Sequence, residues 1–361
     1  MTQKPQVTEV ALRDLPVPAR RILGEEIDRL LVWRTPMLTR FRGIDAREGL
    51  LVHGPAGWGE ISPFWDYGAA EIRRWVAAGI EAATQEPPQP RRQTIPVNIT
   101  VPILPADAAY QLVKTCISDD EPTSAKVKVS GAGTDLNADA ERVAAVRDAL
   151  GRGGRIRVDA NAGWTPAQAH RAIRVLQQAA GDLEYVEQPC GSVTEMAELR
   201  RSVDVQIAAD ESIRRSSDPL AVRREQAADL IILKVQPLGG VRAALRLAEE
   251  LGLPAVVSSA LDSSIGIAAG LRLAAALPEL DHACGLGTVR LLTADPARES
   301  LLPRANTLPA DGCCVPREPL DADTVPQSVV AAWVARLSAA SEVVDVNEAG
   351  AALPDGWWFD D

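Results

Sequence analysis

The chain contains 361 residues, with 49 acidic against 38 basic side chains, a net charge of −11 and only three histidines. This length allows one large buried core or two smaller ones. The acidic balance argues against a nucleic-acid or anionic-membrane surface as the main function. A three-histidine zinc site would need His53, His170 and His282 together, and these lie in unrelated sequence contexts.

Neither a leader nor a membrane span is expected from the sequence. The first residues carry no apolar stretch typical of a secretory signal, and the apolar runs stay well under the roughly 18 residues that span a bilayer. The five cysteines show no C-x-x-C spacing, so we interpret them, including the vicinal Cys313 and Cys314, as free thiols. We therefore expect a cytoplasmic protein that binds no membrane and no nucleic acid and needs no obligate protein partner.

The front of the chain, residues 1–95, predicts a separable α+β segment. Residues 1–20 are polar and contain three prolines, which is typical of a loose lead-in. Strand-like runs follow at residues 28–33 and 48–53, then a glycine-rich turn at 57–60 and helical periodicity over 71–83. Prolines at 87–90 end the segment.

Residues 96–305 predict a parallel β/α domain. Short apolar runs lie at residues 97–101, 125–129, 156–158, 185–186, 205–208, 230–235 and 255–257, with a weaker eighth at 282–286. Amphipathic stretches separate most of them, at 139–150, 166–178, 192–202, 219–226, 241–251 and 265–277. This alternation favours βαβ units closed into a barrel. A doubly wound open sheet is the alternative, but residues 101–105 form no glycine-rich phosphate turn after the first strand.

The last segment, residues 306–361, crosses a region rich in proline, glycine and cysteine and then predicts one helix over 325–340. It ends in acidic and aromatic residues that include Trp357 and Trp358. We expect this segment to pack back on the front of the chain.

Chemically active side chains follow the predicted strands of the barrel. They are Lys126 with Lys128, Asp159 with Asn161, Glu187, Asp210, Lys234, and Ser258 with Ser259. Within this set, Lys128, Asp159, Glu187, Asp210 and Lys234 follow one another at intervals of 31, 28, 23 and 24 residues, each one βα unit. Because the carboxyl ends of barrel strands meet at one face, these groups are expected to share one pocket.

Three carboxylates on adjacent strand ends repel one another unless a cation lies between them. All-oxygen ligands favour a hard ion, so we expect Mg²⁺, with Mn²⁺ as a substitute. A dication and a neighbouring ammonium lower the pKa of a lysine toward useful basicity. The set suggests that the metal binds the carboxylate of a small anionic substrate, that one lysine removes the α-proton, and that the metal and the opposite lysine stabilise an enediolate.

Other candidates surround this set. Gly239 and Gly240 open the helix predicted at 241, and their backbone N–H groups would either hold a substrate carboxylate or form a tight turn. Arg157 is interpreted as a structural counter-charge, and Glu211 as support for its neighbour that faces the other way by strand period. The stretches 35–42 and 57–60 are candidates for a lid.

The motifs resemble the enolase superfamily in its muconate-lactonizing-enzyme subgroup. The matching motifs are Lys126-x-Lys128, Asp159-x-Asn161, Glu187-Gln-Pro189, Asp210-Glu-Ser and Lys234. Within the subgroup, residues 157–164, 234–240 and 258–266 are most similar to the o-succinylbenzoate synthase family of menaquinone biosynthesis. The resemblance covers nearly the whole chain and implies a modified (β/α)₇β barrel with an α+β capping domain built from residues 1–95 and 306–361.

The resemblance also implies roles for single residues. Asp159, Glu187 and Asp210 match the Mg²⁺ ligands, Lys128 the general base that returns its proton as general acid, Lys126 the lysine that tunes it, Lys234 the lysine that stabilises the intermediate, and Asn161 a position near metal and substrate. The implied reaction is syn dehydration of 2-succinyl-6-hydroxy-2,4-cyclohexadiene-1-carboxylate to 2-succinylbenzoate and water.

Other functions stay open on the same residues. An N-acylamino acid racemase or a cycloisomerase would use the same scaffold and the two lysines. A dipeptide epimerase is disfavoured because residues 284–288 lack the Asp-x-Asp of that group, and a mandelate racemase because no histidine follows the seventh strand. A non-catalytic metal-binding barrel is disfavoured because it needs no lysines opposite its ligands.

Overall fold

The computed structural model describes residues 4–117 and 123–343, and its front part is a four-stranded antiparallel sheet in the order β1-β2-β3-β4. The strands are β1 (Gln6–Glu9), β2 (Arg29–Phe41), β3 (Ile44–Gly54) and β4 (Gly57–Ile61), and the helices are α1 (Val17–Leu23) and α2 (Ala69–Thr84). Both faces of the sheet are buried, so the apolar runs of β2 and β3 are continuous instead of alternating.

The barrel strands form one parallel sheet in the order β12-β11-β10-β9-β8-β7-β6. They are β6 (Ile99–Val101), β7 (Ser124–Lys128), β8 (Arg155–Asp159), β9 (Val186–Glu187), β10 (Ile207–Ala209), β11 (Leu230–Leu233) and β12 (Ala255–Val257). The helices are α3 (Ala106–Cys116), α4 (Leu136–Leu150), α5 (Pro166–Ala180), α6 (Val193–Arg200), α7 (Glu211–Arg214), α8 (Ala221–Arg224), α9 (Val235–Leu238), α10 (Val241–Leu251) and α11 (Ser264–Ala276). A small antiparallel pair joins β5 (Thr94–Pro96) to β13 (Thr307–Pro309).

The weak eighth run at 282–286 closes the barrel. Cys284 makes a parallel bridge to Val97 beside the first strand, and Gly285 makes one to Ser258 beside the last. Backbone hydrogen bonds on both sides hold this short segment between the two edges of the sheet. The predicted barrel is therefore confirmed, and the open-sheet alternative is wrong.

Elements β1, α1 and α3 are among those that the sequence did not predict, because tertiary packing forms them. The expected lead-in contains β1, which is only four residues long and pairs with the edge of β2, and α1, which begins on two prolines and buries Ala19 and Leu23. Helix α3 was not expected between the first two barrel strands. The sixth run ends earlier than predicted, because the chain turns into helix α9 directly after Lys234.

Helix α12 (Gln327–Glu342) packs against α1 and α2 and buries Trp333 among them. We call the sheet β1–β4 with α1, α2 and α12 the cap. Trp357 and Trp358 lie outside the described residues, and the domain limits at 95 and 305 remain a prediction. No helix in the described ranges has both the length and the apolarity needed to cross a membrane.

Two glutamates of the cap hold the starts of two barrel helices. Glu81 on α2 accepts hydrogen bonds from the backbone N–H groups of Val241 and Arg242, at 3.0 and 3.2 Å. Glu60 on β4 accepts from the N–H of Gly266 at 3.0 Å, at the start of α11. A carboxylate at a helix N-terminus satisfies orphan N–H groups and complements the helix dipole, so these contacts fasten the cap to the barrel.

Removal of the Glu81 carboxylate should therefore weaken the fold. We expect Glu81→Ala to lower the free energy of unfolding by about 1–2 kcal/mol, because two N–H groups at the start of α10 lose their acceptor. Urea unfolding followed by circular dichroism measures this change. The matched control is Glu86→Ala, an exposed glutamate just beyond the same helix. Equal losses in the two variants would contradict this role of Glu81.

Candidate active site

A cavity lies between the carboxyl ends of the barrel strands and the cap. Its lining residues are Phe41, Arg42, Phe64, Thr100, Lys126, Lys128, Asn161, Arg214, Lys234, Ser258, Ser259, Ala260, Leu261 and Thr288. Most come from strand ends, as the barrel geometry predicts. The hairpin stretch at 35–42 reaches the cavity through Phe41 and Arg42. Residues 57–60, predicted as a turn, belong to strand β4 and do not line the cavity.

The register of the sheet brings the charged residues side by side. Lys128 on β7 is paired with Asp159 on β8, and Asp159 is paired with Glu187 on β9. Lys126 lies two residues before Lys128 on the same strand face, since side chains alternate with period two. The local rules of strand geometry thus place two lysines and two carboxylates next to one another.

Lys126 and Lys128 are hydrogen-bonded to these carboxylates. The ammonium of Lys126 donates to both oxygens of Glu187 at 3.0 Å and lies 3.6 Å from Oδ2 of Asp159. Lys128 donates to the same Oδ2 of Asp159 and, at 2.9 Å, to Oδ1 of Asn161. The two ammonium groups therefore share one carboxylate oxygen and are close neighbours.

The far side of the cavity has a second group of charges. Lys234 donates to Oδ2 of Asp210 at 2.6 Å, and Nε of Arg214 donates to Oδ1 of the same carboxylate at 2.9 Å. Arg214 also donates to Glu211 at 2.6 Å and to the hydroxyl of Tyr67 in the cap. Glu211 faces this cluster, and not away from it as the strand period suggested, because the chain turns into helix α7 at that residue.

Burial and charge shift the pKa values in opposite directions. Burial opposes ionisation of Asp159 and Asp210, but the cations beside them outweigh it and hold the pKa of each carboxyl well below its usual range. Burial and repulsion from Asp159 raise the pKa of Glu187 to about 7. Burial lowers the pKa of Lys234, whereas Glu187 and Asp159 outweigh burial and raise the pKa of Lys126.

Backbone strain marks the strand ends. Asn161, Gln188 and Leu261 have positive φ angles of 45°, 37° and 60°, in the region that favours glycine. The Gln188 side chain is fully buried, accepts from the N–H of Asp210 at 2.9 Å and donates to Oγ of Ser212 at 2.8 Å. Gln188 thus holds the turn that carries Asp210, a role that no local pattern in the sequence signals.

The donor set fits a hard dication. Asp159, Glu187 and Asp210 are carboxylates with no exposed surface on three neighbouring strands, and burial together with repulsion from the other two raises the pKa of Glu187. In the described part of the chain no three acidic, histidine or cysteine side chains stand as a ready-made metal cluster. Each of the three carboxylates is bonded to a lysine ammonium instead.

The structure does not bring Gly239 and Gly240 to the cavity. A side-chain carbon on Gly240 would lie 2.1 Å from Oε2 of Glu81, because the helix start behind these glycines is filled by that carboxylate. The tight turn is the better description, since both glycines have positive φ angles of 92° and 127°. The expected anion at this helix start is the protein's own glutamate and not a substrate.

The other predicted residues fall into two groups. Ser258 and Ser259 line the cavity, and Ser259 shares a 2.6 Å hydrogen bond with Thr288. Arg157 lies behind the site with no exposed surface and pairs with Glu184 at 2.5 Å. None of the three histidines of the chain lines the cavity.

Sequence reasoning missed several lining residues. Arg214 comes from helix α7 and Phe64 from the cap, both outside the strand-end pattern, whereas Phe41 and Arg42 lie in the stretch predicted as a lid. Thr100 on β6 is also new: its hydroxyl is buried, lines the cavity and has no hydrogen-bond partner among the described residues. A buried hydroxyl without a partner is suited to form a hydrogen bond with a bound ligand.

Comparison with known proteins assigns the family. The family model described as Enolase C-terminal domain-like matches residues 109–317, more than half of the chain, and the one described as Enolase N-terminal domain-like matches residues 32–83. The chain belongs to the enolase superfamily. The resemblance inferred from the strand-end motifs is thereby confirmed.

Relatives within the superfamily are similar over most of the chain. The o-succinylbenzoate synthase of Thermobifida fusca (strain YX) is 55% identical over 305 residues, 84% of this chain and 93% of that protein. The o-succinylbenzoate synthase of Mycobacterium leprae (strain TN) is 53% identical over 287 residues, 80% of this chain and 84% of that protein. At this similarity the chain is an enzyme of the lyase class.

Solved structures of the superfamily share the fold. Muconate lactonizing enzyme from Pseudomonas fluorescens has a TM-score of 0.65 at 21% identity, covering 88% of this chain and 98% of that one. The L-Ala-D/L-Glu epimerase from Bacillus subtilis has a TM-score of 0.66 at 22% identity, covering 81% and 98%. At these identities the match supports the shared barrel and cap alone.

Behind the cavity of this superfamily member lies a buried polar network between cap and barrel. Glu60 accepts from Oγ of Ser62 at 2.6 Å, and Asp262 accepts from Nε2 of Gln236 at 2.7 Å. Arg47 is the cation beside this pair of carboxyls and donates to Oγ of Ser62 at 3.0 Å. One buried guanidinium faces two buried carboxyl groups and can neutralise the charge of only one. The two carboxyl groups together therefore retain a proton more readily than free acids do.

This network predicts a specific pH dependence of stability. Burial and repulsion from Asp262 raise the pKa of Glu60 to about 7, above its value of 4.5 in the unfolded chain. The folded state therefore holds the extra proton, and the stability this gives is complete below pH ~4.5 and is lost as the pH rises through ~7. Relative to Glu60→Gln, the wild-type free energy of unfolding should fall by about 2 kcal/mol between pH ~5 and ~8.

Urea unfolding of both proteins across this range measures the difference in their free energies of unfolding. Contributions from groups that titrate alike in the two proteins cancel in this difference. Glu86→Gln, at an exposed position, is the matched control and should follow the wild-type curve. Parallel pH curves for wild type and Glu60→Gln would contradict the raised pKa.

Proposed function

We propose that this enzyme catalyses the Mg²⁺-dependent syn dehydration of 2-succinyl-6-hydroxy-2,4-cyclohexadiene-1-carboxylate to 2-succinylbenzoate and water, a step of menaquinone biosynthesis. One observation carries the proposal. Across five adjacent strands the sheet presents Lys128, Asp159, Glu187, Asp210 and Lys234 in that order, an ammonium on each side of three carboxylates. The identity of 53–55% to proteins named o-succinylbenzoate synthase supports this choice of reaction.

Asp159, Glu187 and Asp210 would hold the metal ion. When bound, a hard dication supplies a positive charge that makes the hydrogen next to a substrate carboxylate more acidic. Divalent metal use agrees with membership of the superfamily, and the all-oxygen donor set suits Mg²⁺, with Mn²⁺ as a substitute of the same ligand preference.

Lys128 is the proposed base. Asp159 and Asn161 fix its amine at the mouth of β8, and Phe41 of the cap lies against it, with 5.5 Å between the nitrogen and the ring centre. Its Nζ would take the proton from the carbon that carries the ring carboxylate. The same Nζ would then give that proton to the hydroxyl on the adjacent carbon, so that the C–O bond breaks and water leaves from the same face. The ring gains its last double bond, and atoms and charge balance.

Lys126 and Lys234 have supporting roles in this proposal. Lys126 shares a carboxylate oxygen with Lys128 and tunes it through a fixed positive charge that Glu187 holds in place. Lys234 lies on the opposite side of the carboxylates and stays bonded to Asp210. Its ammonium would stabilise the negative charge of the enediolate that follows proton removal.

Charge balance supports a doubly negative substrate. With Lys128 acting as the base, the remaining cations of the cavity wall offset the three strand-end carboxylates and Glu211 one for one; they are Lys126, Lys234, Arg214 and Arg42. A dication together with a dicarboxylate leaves the buried site neutral, which avoids the cost of an uncompensated charge away from water. The proposed substrate carries two carboxylates.

The free thiols of the chain also support the proposed cytoplasmic location.

The second candidate, an N-acylamino acid racemase, is favoured by the same two lysines, which approach the carboxylates from both sides. A racemase needs a base on each face of its substrate, and a syn dehydratase needs one. The N-succinyl Arg/Lys racemase from Bacillus cereus shares the fold, with a TM-score of 0.66 at 20% identity over 81% of this chain and 96% of that one.

The direct test is formation of 2-succinylbenzoate from the cyclohexadiene substrate. We expect product with Mg²⁺, less or equal turnover with Mn²⁺, and loss of at least about a hundredfold after chelation with EDTA, restored by added Mg²⁺. Absence of product in the presence of Mg²⁺ would refute the dehydration. A parallel incubation with N-succinyl amino acids in D₂O distinguishes the second candidate, because exchange with racemisation needs both lysines.

Replacement of Lys128 tests the assignment of the base. We expect Lys128→Ala to lower kcat by about 10³-fold or more, because no other group takes the proton, while binding of Mg²⁺ or Mn²⁺ measured by calorimetry persists. Lys114→Ala, at an exposed position on α3, is the matched control and should leave kcat unchanged. Near-wild-type turnover in Lys128→Ala would exclude Lys128 as the base.

A further inference from the structure

The cations that line the cavity divide into two kinds. Lys126, Lys128, Lys234 and Arg214 are each hydrogen-bonded to a carboxylate of the barrel. Arg42 also lines the cavity, but among the described residues no acceptor hydrogen-bonds its guanidinium. It is the one uncommitted positive charge on the walls that the structure describes.

Arg42 is placed by the cap and not by the barrel. It occupies the tip of the β2–β3 hairpin, where Arg42 and Gly43 both have positive φ angles of 50° and 78°. Its guanidinium carbon lies 4.4 Å from the ring centre of Phe64. Stacking on a buried ring restricts the side chain while leaving its N–H donors free.

A second arginine also contacts this ring. The guanidinium carbon of Arg47 lies 4.4 Å from the centre of Phe64, and Arg47 is buried and donates to the carbonyl of Leu261 at 3.0 Å in the barrel. Phe64 thus contacts both an arginine fastened to the barrel and one that lines the cavity. This arrangement preorganises Arg42 for an anionic ligand.

The proposed substrate has an anionic group that the barrel residues leave unmatched. Its ring carboxylate belongs at the lysine and carboxylate end, where the reacting carbons must lie. Its second carboxylate ends the flexible succinyl chain and would otherwise be buried without a partner, which is costly. A planar guanidinium with free donors suits a carboxylate, since two parallel N–H···O bonds can form.

We propose that Arg42 binds the distal carboxylate of the substrate side chain and makes the enzyme selective for dicarboxylates. This inference rests on the proposed function, because it assigns the second carboxylate of that substrate. Arg42 touches a remote part of the substrate and not the reacting atoms, so it determines specificity through binding.

Kinetics with two substrates test this assignment. The first is the dicarboxylate, and the second is its analogue with the side-chain carboxylate converted to a primary amide. For Arg42→Gln we expect KM for the dicarboxylate to rise by about ten- to a hundredfold, with kcat changed less than about threefold. For the amide, wild type and Arg42→Gln should agree within about twofold. Arg42→Lys keeps the positive charge but loses the two parallel N–H donors of the guanidinium. Its KM for the dicarboxylate should lie between those of wild type and Arg42→Gln.

The matched control is Arg40→Gln on the same hairpin. Arg40 donates to the carbonyl of Gly43 at 3.1 Å and supports the turn, so its loss perturbs the hairpin without removing Arg42. We expect this variant to change KM for both substrates by the same factor. If Arg42→Gln also shifts both equally, or shifts neither, the assignment of Arg42 to the distal carboxylate is overturned.

A binding measurement separates this inference from the proposed reaction. Calorimetry with 2-succinylbenzoate and its side-chain amide, in the presence of Mg²⁺, requires no turnover. Selective loss of diacid binding in Arg42→Gln supports the inference even if the wild type fails to dehydrate the substrate, in which case the reaction alone is refuted. Equal affinity of the wild type for diacid and amide overturns the inference whatever the reaction.

Discussion

Asp159, Glu187 and Asp210 have no exposed surface, and a charge removed from water must find its counter-charge inside the protein. The parallel register meets this demand, because it makes Lys128, Asp159 and Glu187 direct neighbours on successive strands. Lys234, bonded to Asp210, lies at the far end, so that a row of charged side chains runs across the strand ends from Lys128 to Lys234. In the proposed mechanism a dication held by the three carboxylates shares them with these lysines, so one row of side chains holds both the metal and the lysine amines.

The surroundings keep this row dry and aligned. Gln188 fixes the turn that carries Asp210, and the cap covers the cavity with Phe41 and Phe64. The cap is itself fastened by Glu60 and Glu81, whose carboxylates occupy the starts of two barrel helices. Because the N-termini of these two helices already face carboxylates of the cap, the positive charge that meets a substrate must come from side chains.

Local rules carried the sequence prediction far. Strand and helix alternation predicted the barrel, and strand period with βα spacing predicted the side chains that share the pocket. The failures have a common cause, which is contact between residues distant in sequence. Nothing near Gly240 shows that Glu81, in another domain, fills the helix start behind it. Arg214 reaches the cavity from a short helix, and its position belongs to no repeating pattern. Helix α1 forms because it can bury two residues against the cap, not because its own sequence favours it.

Chemistry and selectivity are carried by different parts of this molecule. Solved structures that share its fold at 20–22% identity are named for dipeptide epimerisation, muconate lactonisation and succinyl amino acid racemisation. One fold thus serves several reactions, and a fold alone cannot select a substrate. In the proposed mechanism the row of charges at the strand ends recognises a carboxylate with an acidic hydrogen on the adjacent carbon, a feature that many acids share. The discriminating contact must then lie away from the row, on a segment free to vary without moving the strands. The tip of the β2–β3 hairpin meets that condition, because its one cavity-facing cation is anchored by an aromatic ring and not by any charge of the barrel.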